Sequence, residues 1–171
     1  MLAHAEGRLI GEYRKLHALH FFPGMSIAPF LPDITELVAE TGAKKILDYG
    51  CGEGVQYTRE RFHEAWGVDR PALYDPGVAR WADKPVDIFD GVICTDVLEH
   101  VPEDELDGVI DDLIRMSSMW VFASVCCRPA KRKFLDGTNV HVTIRPLNWW
   151  AGKLARPFGM SGRRLVLRET P

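Results

Sequence analysis

The sequence predicts an α/β fold, a doubly wound and mostly parallel sheet. Strand-like apolar runs alternate with helical periodicities along the chain. Met119 to Cys126 is almost wholly apolar, as expected of a strand buried on both faces. Residues 44–54 read Lys-Lys-Ile-Leu-Asp-Tyr-Gly-Cys-Gly-Glu-Gly, a short apolar strand running into three alternate glycines. A turn of this kind leads from strand to helix beside a ligand in such sheets. At 171 residues, one domain spanning 1–171 with a sizeable core is expected.

Leu2, Leu9, Tyr13, Leu16 and Leu19 recur near a helical period, predicting an amphipathic helix over 2–19. Phe21-Phe22-Pro23-Gly24 ends it, and Pro29 and Pro32 keep the connection irregular. Asp33 with Glu36 reads as a capping box opening a helix that Gly42 closes. A strand at 45–49, the glycine turn and a helix over 55–65 follow. Ala72-Leu73-Tyr74 is a second strand, ended by Asp75-Pro76-Gly77, and Phe89 to Thr95 a third. Pro102 and the acids behind it open a helix reaching about Ser117. After the strand 119–126 come a basic loop, a helix near 147–155 and a last strand at 164–168. Residues 1–32 are expected to act as a helical lid and 128–171 as a basic, acceptor-side region.

The net charge of −3 conceals an asymmetry. Residues 1–127 hold 11 Lys/Arg against 22 Asp/Glu, and residues 128–171 hold 10 against 2. Either the C-terminal third meets an anionic partner or it complements the acidic part of its own chain. No apolar run approaches the ~18 residues of a membrane span, so no membrane is expected. The first residues lack the apolar core of a signal peptide, and Cys51, Cys94, Cys126 and Cys127 show no C-x-x-C spacing. A cytoplasmic protein with reduced, buried thiols is the expectation.

Glycines at 50, 52 and 54 remove Cβ atoms from the turn, allowing left-handed angles and close approach of a ligand. The helix starting near Val55 is expected to point its unpaired N–H groups at the same space. G-x-G-x-G is neither the dinucleotide G-x-G-x-x-G nor a P-loop. With Asp48 before it, the turn suits a cationic, amino-acid-bearing nucleoside better than a pyrophosphate.

The segment resembles motif I of the class I S-adenosylmethionine-dependent methyltransferases, and the likeness extends over about residues 34–126. It implies a Rossmann-like methyltransferase fold. Gly50, Cys51, Gly52 and Gly54 would approach the cofactor and Asp48 its amino-acid end. An acid ending the second strand would hold the ribose hydroxyls. That acid is Asp75, after Tyr74, or Asp69, which ends Ala-Trp-Gly-Val-Asp; Leu-Tyr-Asp-Pro-Gly reads better as strand and turn. Residues 95–98, Thr95, Asp96 and Val97 among them, would border the sulfonium, and Tyr74 would also line the cofactor site. About 13 residues separate Asp75 from Phe89, too few for the family's helix and third strand. The sheet should therefore be smaller than the usual seven strands.

Thr95-Asp96-Val97-Leu98-Glu99-His100 puts two acids and an imidazole at the carboxyl edge of the sheet, and His141 follows on a later loop. Such oxygen and nitrogen donors suit Mg, Mn or Fe. The pattern is similar to the metal sites of ubiquinone-pathway O-methyltransferases and small-RNA 3′-terminal 2′-O-methyltransferases. By that likeness Asp96, Glu99, His100 and His141 hold a divalent metal, with Glu99 and His100 catalytic; Asp96 departs from their Glu. A metal-free pocket with His100 as base fits the same residues. His4, His17, His20 and His63 read as surface or packing residues, and Trp149 and Trp150 as base-stacking or core.

The resemblance implies methyl transfer. The segments that mark base-N and cytosine-C5 enzymes are missing from 89–95, which favours a hydroxyl acceptor. Arg128, Lys131, Arg132, Lys133 and Arg145 fit a phosphate-bearing small molecule, a nucleotide or an RNA end. The competing expectation is an inactive cofactor-binding module that serves a partner subunit.

Overall fold

A computed structural model describes residues 9–171. Five strands, β1 (Ile46–Tyr49), β2 (Ala72–Tyr74), β3 (Phe89–Thr95), β4 (Ser117–Val125) and β5 (Arg164–Glu169), form one sheet ordered β2-β1-β3-β4-β5. All four pairings are parallel. The order reverses between β1 and β3, which opens a crevice at their carboxyl ends.

Strand alternation sends neighbouring side chains to opposite faces, and both faces are apolar. Leu47, Val92, Cys94 and Val121 face α4 (Leu106–Met116) and α5 (Leu147–Ser161), burying Ile110, Leu113, Trp150 and Leu154. Ile46, Ile93, Trp120 and Phe122 face α2 (Leu31–Thr41) and the 55–66 segment, burying Ile34, Leu37, Tyr57 and Trp66. Gly91 lies opposite Trp120, whose ring fills the space a Cβ would take, while the indole N–H donates to Thr41 Oγ1 at 3.0 Å.

A third cluster roofs the crevice. Leu16 of α1 (Ile10–Ala18) packs with Phe134 and Val140 of the loop after β4, flanked by Tyr13, Phe21 and Phe22. The part of the expected N-terminal helix before Leu9, with Leu2 and His4, lies outside the described residues.

Several local expectations need correction. Helix α2 begins at Leu31 with Pro32 in its first turn and has no side-chain cap. Asp33 therefore sits inside the helix and pairs with Arg168 at 2.7 Å instead of forming a capping box. The helix after the glycine turn, α3 (Val55–Thr58), is one turn long, because Arg61 adopts φ 54° and restarts the chain as a 3₁₀ segment, Phe62–Trp66. Helix α5 runs on through Pro157 to Ser161. Among the described residues, no helix is long and apolar enough to cross a membrane.

Gly91→Ala should destabilise the fold by about 1–3 kcal/mol through overpacking against Trp120. Urea unfolding followed by tryptophan fluorescence measures this; an unchanged midpoint would contradict the packing.

Candidate active site

A cleft of about 1440 Å³ runs across the carboxyl ends of the strands. Its floor is Tyr49 and Gly50 after β1, Tyr74 and Asp75 after β2, Thr95 to Val97 after β3, and Cys126 after β4. Its roof is α1, through Tyr13 and His17, with the 21–26 segment and Arg128 to Arg132.

The glycine turn is built against this roof. Glu53, Val55 and Gln56 donate their N–H groups to the carbonyls of Phe22, Pro23 and Gly24 at 3.2, 3.0 and 3.1 Å. The donors expected to face a ligand are thus consumed by the chain's own strap. Gly52, at φ 56°, has room for no side chain: a Cβ would lie 2.7 Å from the Phe22 carbonyl oxygen. Gly50, at φ 83°, lies against Val97 and borders the cleft. Cys51 and Gly54 are buried in the turn and do not line the cleft.

Asp48 also lies beneath the turn. Its Oδ2 accepts from Gln56 Nε2 at 2.8 Å, and Gln56 Oε1 accepts the Ile27 N–H at 3.2 Å. Burial pushes the Asp48 carboxyl up to about 7, against the pull of its hydrogen bonds. Asp48 therefore anchors Gln56 and the strap.

Asp75 follows β2, is 8% exposed and lines the cleft. Its Oδ2 and Oδ1 accept the N–H groups of Gly52 and Gly77, each at 2.8 Å, and each oxygen keeps further acceptor capacity. Asp69 is exposed and precedes the strand. His17 of α1 lies over Asp75, its Nε2 3.6 Å from Oδ1 and its Nδ1 buried without a partner among the described residues. Burial lowers the His17 pKa despite the adjacent acids. Nothing in its sequence surroundings marked His17, which read as a surface or packing residue.

On the far side, Asp96 adopts φ 62° at the end of β3. Thr95 Oγ1 meets Ser26 Oγ at 2.8 Å, tying floor to roof. His100 lines the cleft, with Nδ1 3.0 Å from the Val140 carbonyl and its ring edge-on to Tyr13, Phe22 and His141. Donation to that carbonyl protonates Nδ1 and leaves Nε2 as an acceptor. Burial first, then His141, lowers the His100 pKa to about 4, so the ring is neutral at pH 7. Tyr13 Oη donates to the Val140 carbonyl at 2.7 Å and fixes α1 to the same place.

Glu99 lies below the cleft surface at 0% exposure, and its Oε1 accepts the Cys126 N–H at 2.6 Å. Burial and the Asp96 charge hold its carboxyl well above the usual range. His141 comes close because Val142 and Thr143 donate to the Glu99 carbonyl at 2.9 and 3.0 Å. Glu99 and His141 group with Cys126, while Asp96 and His100 lie outside that group.

Much of the basic C-terminal region serves its own chain. Arg145, Lys153, Arg164 and Arg168 pair with Glu103, Asp107, Glu40 and Asp33. Arg128, Lys131 and Arg132 remain at the cleft mouth, with Arg132 stacked over Phe21; Lys133 does not line it.

The raised Asp48 carboxyl gives a pH signature. An unfolded Asp ionises near 3.8, so the proton that folding retains stabilises the native state below that value, and the contribution is lost as pH rises through about 7. Asp48→Asn should remove this slope, so its stability relative to the native protein should improve from pH 5 to 7.5 in thermal melts. A constant difference would contradict the buried, partly protonated state.

A search of curated proteins finds no match. The sequence model of a family described as "Methyltransferase domain" matches residues 24–156, a span that begins at the last residue of the strap and holds the glycine turn and all five strand ends but the last. The chain belongs to this methyltransferase domain family.

Proposed function

We propose that the protein transfers a methyl group from S-adenosylmethionine to a hydroxyl of a small, anionic acceptor such as a nucleotide, a sugar phosphate or an RNA end. The observation that carries this reading is a single cleft with an acidic flank at Gly50 and Asp75, a basic mouth at Arg128 to Arg132, and the neutral His100 also on its wall. The fit to the cofactor rests on the side-chain-free backbone at Gly50 and the remaining acceptor capacity of Asp75, which suits a pair of ribose hydroxyls. The turn's donors are already satisfied, so a sulfonium nucleoside suits it better than a pyrophosphate.

Methyl transfer to oxygen needs alignment, dryness and removal of one proton. Tyr13 and Phe22 of the roof exclude water. His100 Nε2, with Nδ1 held by Val140, takes the hydroxyl proton as general base; a pKa near 4 makes it a weak one. That limit favours help from a divalent cation, which when bound would acidify the hydroxyl. The buried Glu99 oxygen without a well-formed hydrogen bond and the nearby His141 fit a cation. Asp96 and His100 would join only by turning toward it. Arg128 and Lys131 would hold the acceptor's phosphate at the mouth, as exposed, salt-sensitive contacts.

The test is calorimetric titration with S-adenosylmethionine, then transfer of labelled methyl to a panel of phosphate-bearing hydroxyl acceptors, with and without EDTA. Asp75→Ala should weaken cofactor binding by about 2–3 kcal/mol, and Asp69→Ala should barely change it. Equal effects would remove Asp75 from the ribose. Cofactor binding without transfer to any acceptor would favour a partner module.

A further inference from the structure

The buried end of the cleft brings together donors that the sequence pattern does not group. One oxygen of Glu99, one ring nitrogen of His141 and Cys126 Sγ lie within 4.8 Å of one another, and all three residues are buried. Glu99 Oε2 makes no well-formed hydrogen bond among the described residues, and Asp96 is the acid beside it. A buried carboxyl oxygen left unpaired is costly, and a water or a cation at the cleft floor would relieve that cost. His141 Nδ1 lies 2.7 Å from the Arg128 carbonyl, so it carries the proton and leaves Nε2 as a lone pair, the second-layer arrangement of a metal-bound histidine.

The three donors sit on three segments that hydrogen bonds tie to one another. Cys126 N–H reaches Glu99 Oε1, and the 142–143 amides reach the Glu99 carbonyl. Cys126 and His141 both line the cleft, so a cation here would be reachable from the acceptor side.

We propose that Glu99, Cys126 and His141 form a metal site with one thiolate donor, which takes a borderline cation such as Zn²⁺, Co²⁺ or Fe²⁺ in preference to Mg²⁺. Mg²⁺ requires oxygen ligands in a near-octahedral set, whereas an O, N and S donor set suits the softer ions. Three protein donors leave a coordination position for an outside oxygen, as catalytic zinc sites do. The thiol of Cys126 loses its proton on binding. The inference deepens the cation-assisted reading above, but its test uses neither cofactor nor acceptor, so the two can fail separately.

Protein freed of metal by chelation and kept reduced is titrated with Co²⁺. The expected result is a near-ultraviolet thiolate-to-cobalt charge-transfer band that saturates at one equivalent, is abolished by one equivalent of Zn²⁺ and survives a large excess of Mg²⁺. Cys126→Ser should lose that band, His141→Ala should lose cobalt binding, and Cys127→Ser should behave as the native chain. Zinc-edge X-ray absorption on the unmutated protein provides a check independent of folding, with one sulfur expected at about 2.3 Å. A cobalt spectrum without the band, displacement by Mg²⁺, no binding at all, or a zinc shell without sulfur would each overturn the site.

Discussion

The strap over the glycine turn is the constraint on which the rest of the structure depends. Three successive carbonyls, Phe22 to Gly24, accept from the amides of Glu53, Val55 and Gln56. Gln56 then spends its side chain on both sides, taking the Ile27 N–H and giving to Asp48. One residue thus ties the roof, the turn and the buried end of β1. The small side chains of the turn serve this contact as much as any ligand: a Cβ at Gly52 would meet the Phe22 carbonyl oxygen at 2.7 Å. With its N–H groups consumed, α3 is no phosphate cradle, although helix starts often are.

From this anchor the roof spreads over both halves of the cleft. Helix α1 sets His17 on Asp75 at one end and Tyr13 on His100 and Val140 at the other. The residues proposed to meet cofactor and acceptor are therefore held by one helix, and movement of that helix would disturb both. The short chain between Asp75 and Phe89, where the sheet lacks a further strand, is closed by a Lys84–Asp112–Arg115 cluster that pins the loop to α4. Charge distribution follows the same economy, with four C-terminal cations paired to the acidic part of the chain and three turned to the mouth.

The strands were legible because buried parallel strands must be apolar on both faces, and Ile46–Tyr49, Phe89–Thr95 and Ser117–Val125 follow that rule. The turn was legible because its glycines take positive φ. The short α3 was not, since nothing local announces that Arg61 will adopt a left-handed angle. The capping box failed because Pro32 starts the helix earlier and leaves Asp33 inside it. Phe-Phe-Pro-Gly read as a helix breaker, and its partner lies about 30 residues away, beyond any local pattern. Cys126 read only as a buried thiol for the same reason, because the returning 139–143 loop is what brings His141 to it. The Asp-x-x-Glu-His spacing placed Glu99 near His141 but did not reveal that Glu99 turns into the core while His100 faces the cleft.

The most direct measurement is calorimetric affinity for S-adenosylmethionine in a folded Gly24→Ala variant. Gly24 lies outside the glycine motif, has φ 76°, and has no room for a Cβ beside the Cys51 carbonyl. If the strap shapes the cofactor site, left-handed strain and displacement of Gly24 should weaken binding by on the order of tenfold, about 1.4 kcal/mol. Native affinity in that variant would contradict the account, leaving the glycine turn to bind its ligand without the strap.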